Sequence, residues 1–368
     1  MRLLKKPICF GVLCCIFFLG TLFFLVGCSN SGLRPNLETT KQSNSETKGT
    51  VVTDCVGRKV EIPANPARIA ALGSFAGEAM VMIGAGEKMV AAPNGVKMDR
   101  LLEKIYPGLP SVGVPMSGGT INAESLMTLK PDLILIKGAM YANQSEMVKI
   151  DKLGIPYLVV NYKNMEEQIY AIKMIGDSVG GKYKEKASAI NDYYRKSIEM
   201  AQNISKKIPD EKRFKVYHAI NEVVRTDGPD TLGYDWITCV GAVNVSAPSN
   251  LTFAENDYFA SMEQIFVWDP DIVICNEAST AEYLLEDPKW TGLRAVYNKQ
   301  VYNIPVGATR WGQRGSLETF FAILWLGKTI YPEYYQGVDL KQEVFTFYKD
   351  YLGRSEEHTS ELQSHHDL

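Results

Sequence analysis

The side chains with chemistry to offer are of two kinds. Arg225, Arg310 and Lys137 are cations, and Phe75, Tyr141, Tyr162, Tyr234, Trp236 and Trp311 are aromatic. Guanidinium groups pair bidentately with carboxylate or phosphate, while aromatic faces stack on flat rings. Brought together, they could hold a bulky anion-bearing small molecule, with Ser74, Asn94, Met116, Ser117 and Asn276 supplying smaller contacts. Covalent chemistry is poorly served. No G-x-S-x-G, P-loop or H-E-x-x-H pattern occurs, and Gly118-Gly119 and Gly180-Gly181 lack the flanking residues of a phosphate cradle. The chain is therefore not expected to be an enzyme, and no cofactor is expected.

Bare transition metals fit poorly as well, because a Zn or Mn site needs several His or carboxylate groups converging. Three of the histidines, His358, His365 and His366, fall in 354–368, a polar stretch that reads as translated sequencing adapter: AGA TCG GAA GAG CAC ACG TCT spells its first seven residues. Only His218 remains. It shares a strand face with Val216 and Ile220, so it is expected to be a satisfied core histidine rather than a haem ligand.

Which elements must position these residues is told by two stretches that say nearly the same thing. Glu124-Ser-Leu-Met-Thr-Leu-Lys-Pro-Asp-Leu-Ile-Leu-Ile136 is echoed by Glu263-Gln-Ile-Phe-Val-Trp-Asp-Pro-Asp-Ile-Val-Ile-Cys275. Leu126 and Leu129, like Ile265 and Trp268, are at helical spacing, so a short helix beginning at each Glu buries one face. Pro131 and Pro270 end those helices, and the apolar runs after them read as buried parallel strands. Two copies imply two α/β lobes.

Taken in order, residues 1–27 are a secretory signal: Arg2, Lys5 and Lys6 precede an apolar run that closes on Leu25-Val26-Gly27-Cys28. That tetrapeptide resembles the lipobox of bacterial lipoproteins, which makes Cys28 the lipidated residue. The alternative is an uncleaved signal anchor. Residues 28–50 are a polar tether unable to offset its ordering entropy. An N-terminal lobe is expected over 51–163, linking helices over 164–212 and a C-terminal lobe over 213–353. Tyr183, Ala187, Ile190, Tyr194, Ile198 and Ala201 recur at steps of three and four and predict one long amphipathic helix joining the lobes. The fold class is α/β: two Rossmann-like lobes with mainly parallel sheets and a single backbone helix.

A net charge of −3 gives no footprint for nucleic acid. After Cys28 only Cys55, Cys239 and Cys275 remain, which is no disulfide framework. Cys239 and Cys275 are expected to be buried thiols, with a bridge between them as the alternative.

The lipobox, Asp54-x-x-Gly57-Arg58 with Pro63 and Pro66-x-Arg68-Ile69, both repeated units, Gly241-Ala-Val-Asn244-Val245 and the central helix together resemble substrate-binding lipoproteins of ABC importers for iron complexes, haem and cobalamin. The likeness covers roughly Val51 to Leu352. It implies a monomer, lipid-anchored on the extracytoplasmic face of the cell membrane, that binds a ferric siderophore, haem or cobalamin in a cleft between the lobes. It also implies delivery to an ABC permease and its ATPase, with Glu124 and Glu263 docking on the permease. Alternatives are a ligand sensor built on the same lobes, or a binder of molybdate-type oxyanions. Because ligands in open α/β sheets sit beyond the carboxyl ends of strands, the cations, aromatics and smaller residues named at the outset are the ligand candidates.

Overall fold

A computed structural model describes residues 49–254 and 257–353. The signal, Cys28, most of the tether and the 354–368 stretch lie outside the described residues.

Two four-stranded parallel sheets carry the architecture. In the first lobe the spatial order is Met89–Ala91, Ile69–Ala71, Leu133–Lys137, Tyr157–Val160; in the second it is Val243–Asn244, Lys215–Ala219, Ile272–Cys275, Val301–Asn303. The two sheets therefore share one topology, with the second strand in sequence outside the first. The strand order reverses beside Ile69–Ala71 and beside Lys215–Ala219, and a crevice opens at such a point. Val216 to Ala219 are buried without alternation, because helices cover both faces of the sheet.

The repeated unit supplies the third strand of each sheet. Its helices, Ala123–Thr128 and Met262–Trp268, start one residue before the glutamate. Asn122 caps the first, accepting from the Ser125 amide at 2.9 Å, and Ser261 caps the second in a reciprocal capping box with Gln264. Both helices stop in the same way. The residue before each proline, Lys130 or Asp269, takes a positive φ of 46° or 41°. The aspartate after the proline then clamps the start of the neighbouring strand. Asp132 accepts from the amides of Ala67 and Arg68 at 2.7 and 3.0 Å, and Asp271 accepts from the Lys215 amide at 2.8 Å. The Pro-Asp pair thus sets both the helix end and the strand alignment.

Between the lobes run the helices Met165–Val179 and Gly181–Ser205, separated by Gly180 at φ 78°. The second is about 37 Å long at 1.5 Å per residue. Its buried stripe contains Tyr183, Ala187, Ile190, Tyr194, Ile198 and Ala201. Tyr194 donates to the Gln168 side chain at 2.7 Å, and Gln168 donates to the Ser316 carbonyl at 2.9 Å, so buried polar groups join the two helices to the second lobe. One apolar core runs through Leu133 and Leu135 of the first sheet, Ile172 and Ile190 of these helices, and Ile272 and Phe320 of the second lobe. Thr319–Ile330 and Leu340–Leu352 complete the packing, the latter ending at Gly353 with φ 68°.

A feature the sequence did not announce is a small antiparallel sheet in the second lobe. Asp257–Phe259 lies between Arg225–Thr226 and Thr252–Ala254.

Candidate ligand cleft between the lobes

The cleft is built from the segments just beyond the carboxyl ends of the strands. In the first lobe Ser74 opens the helix Ser74–Met82, Lys137 closes the third strand and Gly138 starts the helix after it, and Tyr162 and Lys163 come after the fourth. In the second lobe His218 is near the end of its strand, and Asn221 turns the chain with a φ of 63°, which Asn tolerates better than most residues. Asn276 comes directly after the third strand, and the segment from Thr309 to Gly315 completes the lining. Two adjoining cavities of about 380 and 490 Å³ result, sharing Ser74, Thr231, Arg314 and Gly315.

Their charges are organised in pairs. Arg225 and Arg314 meet on one carboxylate: Asp257 reaches Arg225 Nη2 at 2.6 Å and Arg314 Nη2 at 2.9 Å. Lys163 of the first lobe and Asp230 of the second meet at 2.8 Å, and Tyr258 donates to the same aspartate at 2.7 Å. The Tyr162 hydroxyl donates to the Arg314 carbonyl, again across the lobes. Phe75 and Tyr162 pack with centroids 4.7 Å apart and line the larger cavity together with Phe253 and Tyr258.

His218 is buried in the wall, with Nδ1 2.8 Å from Asp227 Oδ2 and Nε2 2.8 Å from Asn276 Oδ1. Burial disfavours the imidazolium, but the Asp227 charge and the two hydrogen bonds outweigh it and raise the pKa above 6.5. Both ring nitrogens are therefore already engaged inside the wall.

Behind the smaller cavity Glu78 and Glu318 are both fully buried. The Thr309 hydroxyl donates to the Glu78 carboxyl at 3.2 Å, the Thr309 amide donates to Glu318 at 2.9 Å, and the Tyr348 hydroxyl donates to Glu318. Burial and then the Glu318 charge raise the Glu78 pKa, and burial pushes Glu318 up to about 7.

Of the residues nominated from the sequence, the structure brings Ser74, Phe75, Lys137, Tyr162, Arg225 and Asn276 to these cavities. Asn94 is exposed next to the lining residues Gly95 and Val96. Met116 and Ser117 form a short hairpin with Thr120–Ile121, away from both cavities. Tyr141 lies on the surface with the Arg58 guanidinium 5.0 Å from its ring centre, and Tyr234 is half-buried outside the lining. Arg310 is paired with Glu277 at 2.9 Å instead of facing the cavities. Trp236 and Trp311 are core residues, 0 and 2% exposed. Trp236 donates to the Gly312 carbonyl at 3.1 Å, and Trp311, itself in the Thr309–Gly315 segment, packs on Phe321, so both contacts anchor that segment to the core.

Residues missed by the sequence reading include Arg314, Asp227, Asp230, Asp257 and Tyr258. Arg314 sits among Gly312 and Gly315, a turn signal that could have drawn attention to it. Glu124 and Glu263 are exposed, each the second residue of its unit's helix. Cys55, Cys239 and Cys275 are free, so no Cys239–Cys275 bridge forms. Among the described residues no cluster of metal-ligating side chains occurs, and no helix is long and apolar enough to cross a membrane.

Residues 69–306 match the family described as periplasmic binding protein. The molybdate-binding protein MolA of Haemophilus influenzae is 24% identical over 340 residues, 83% of this chain and 91% of that protein. Its structure with molybdate superposes with a TM-score of 0.73 at 21% identity, covering 83% of this chain and 98% of that one. An uncharacterized ABC transporter substrate-binding lipoprotein, YvrC of Bacillus subtilis, is 24% identical over 84% of this chain and 93% of its own length. The periplasmic vitamin B12 binding protein BtuF of Vibrio cholerae superposes with a TM-score of 0.56 at 22% identity, covering 72% of this chain and 96% of that one.

Proposed function

The chain belongs to the periplasmic binding protein family, the solute-binding components of ABC transporters, and we propose that it captures an anionic metal chelate in the inter-lobe cleft. The chelate is a ferric siderophore, haem or cobalamin derivative, and the protein hands it to an ABC permease driven by its ATPase. In this reading Cys28 carries the lipid that holds a monomer on the extracytoplasmic face of the membrane, and Glu124 and Glu263 dock on the permease.

The observation that carries the reading is the pairing of Arg225 and Arg314 beside the aromatic wall of Phe75 and Tyr162. Two guanidiniums suit the carboxylates or phosphate of a chelate, and the rings suit its flat or bulky part. Size supports it too. Cavities of about 380 and 490 Å³ are in the range of organic ligands, whereas a tetrahedral oxyanion has the bulk of a few waters at about 30 Å³ each. The second reading, a molybdate-type oxyanion, is favoured by the likeness to MolA and by two cations that share one pair of oxygens.

A thermal-shift panel of haem, cobalamin, several ferric siderophores and molybdate tests the choice. A ligand at a hundredfold over its Kd adds about 2.7 kcal/mol, a rise of roughly 4 °C for a folded part of about 300 residues. A chelate alone shifting the melt supports the first reading, and molybdate alone supports the second. No shift with any of them from a cooperatively melting protein would favour a ligand sensor with a different ligand.

A further inference from the structure

Arg225 and Arg314 come from different elements, the strand Arg225–Thr226 and the Thr309–Gly315 segment, yet each brings its Nη2 within ion-pair distance of the same carboxylate. The Asp257 oxygens are divided between them, Oδ2 to Arg225 at 2.6 Å and Oδ1 to Arg314 at 2.9 Å. That is how two oxygens of a bound oxyanion or carboxylate would bridge the pair. The small antiparallel sheet delivers this group. Arg225 is opposite Phe259, so Asp257, two residues along, shares its face on the diagonal. The Asp257 side chain is 13% exposed, against 27% for Arg225 and 49% for Arg314, so the carboxylate is better shielded than either cation. Arg225 Nε and Asp257 Oδ1 are both buried with no hydrogen-bond partner among the described residues, so the approach of Oδ1 to Arg314 is an ion pair rather than an aligned hydrogen bond.

We propose that Asp257 is a specificity-determining residue of the cleft: an internal anion that occupies Arg225 and Arg314, cancels one of their two charges, and so screens out small free oxyanions. The inference rests on the reading that the ligand's anionic group is held by these two arginines. Phosphate, sulfate or molybdate has only charge with which to compete against a carboxylate that is tethered in place and therefore at high effective concentration. A chelate that also buries its body against Phe75, Tyr162 and Tyr258 gains from contacts that Asp257 does not oppose. The pair is thus more than a brace between strands, because a brace would need Arg225 alone.

Isothermal titration of the full chain in detergent with inorganic phosphate and with molybdate, comparing wild type, D257N and D257A, tests this. Asn keeps the shape of the side chain and Ala removes it, and a cooperative melt confirms that each variant is folded. Binding of both anions is expected to be at least about tenfold tighter in D257N and D257A, by loss of the competing charge, and the gain should vanish when R225Q and R314Q are added. Unchanged or weaker binding in both Asp257 variants overturns the inference. If the chelate that shifts the wild-type melt still loses its effect in R225Q/R314Q, the cleft reading survives that outcome. A gain that persists in the R225Q/R314Q background overturns the inference as well, since the released charge would then act elsewhere.

Discussion

Glu78 and Thr309 join the two lobes directly behind the cleft, the Thr309 hydroxyl donating at 3.2 Å to the carboxyl of a glutamate on the first helix of the other lobe. The Thr309 amide binds Glu318 at 2.9 Å, so one residue ties two buried carboxyls to the segment that carries Arg314.

That arrangement makes the lobe junction sensitive to pH. Burial raises Glu318 from 4.5 to about 7 and raises Glu78 in the same direction. The folded chain therefore binds more protons than the unfolded chain between about pH 4.5 and 7, and stability falls as pH rises through that window. The rise at Glu318 is worth on the order of 3 kcal/mol against the ionised form. E78Q with E318Q, permanent stand-ins for the two protonated acids, should flatten the decline. Melting at pH 5 and pH 8 checks it: wild type should lose markedly more Tm between the two than the double variant, and equal losses would contradict the assignment.

Trp236 should matter to folding instead of to ligand contact. It is fully buried, packs against His218 at 5.6 Å between ring centres, and donates to Gly312. Gly312 has a φ of 72°, and a Cβ there would lie 2.8 Å from Trp236 Nε1. W236A is expected to cost about 3–5 kcal/mol, read by chemical denaturation, and G312A should also destabilise. A W236A protein with wild-type stability and lost ligand binding would return Trp236 to the cleft.

The three described thiols should be inert in the native state. Burial pushes Cys55 up to about 11 and Cys239 and Cys275 up to about 12, leaving almost no thiolate at pH 8. Alkylation and then peptide mass spectrometry should find these positions labelled only after denaturation. Rapid labelling of folded protein at Cys239 or Cys275 would contradict their placement.

Reversing both exposed glutamates, E124K with E263K, should abolish uptake through the permease while leaving ligand affinity within about twofold, because neither residue lines the cleft. Each sits in the first turn of a short helix, where a carboxylate favours the helix dipole, so a small loss of Tm is expected too. Transport that survives the double reversal would overturn Glu124 and Glu263 as the docking pair, and lost ligand affinity would show the docking face to be misplaced.

The fold was legible because it is written in local patterns. The repeated Glu-to-Pro-Asp unit fixed a helix, a stop and a strand in each lobe, and the stripe from Tyr183 to Ala201 fixed the long helix. What the pattern could not show is why the Pro-Asp aspartates recur; Asp132 and Asp271 act on strands that are distant in sequence. The cleft was legible only where strand ends carry the residues, as at Ser74, Lys137, Tyr162 and Asn276. Trp236 and Trp311 drew attention as aromatic faces that could stack on a flat ligand, but helix and loop packing turned both inward. Arg310 and Arg314 are one helical turn apart in number, and only the path of the segment decides that Glu277 takes the first while the cleft takes the second. Asp257 belongs to a small sheet whose strands are two or three residues long, too short for any periodicity to announce.

The decisive quantity is the dissociation constant of whichever ligand stabilises the protein, measured by equilibrium dialysis for wild type and R225Q/R314Q. Binding should be at least a hundredfold weaker in the double variant, in keeping with the loss of two charge-assisted contacts at about 1.5–3 kcal/mol each. Affinity unchanged in a variant that melts cooperatively would mean that Arg225 and Arg314 do not hold the ligand between the lobes.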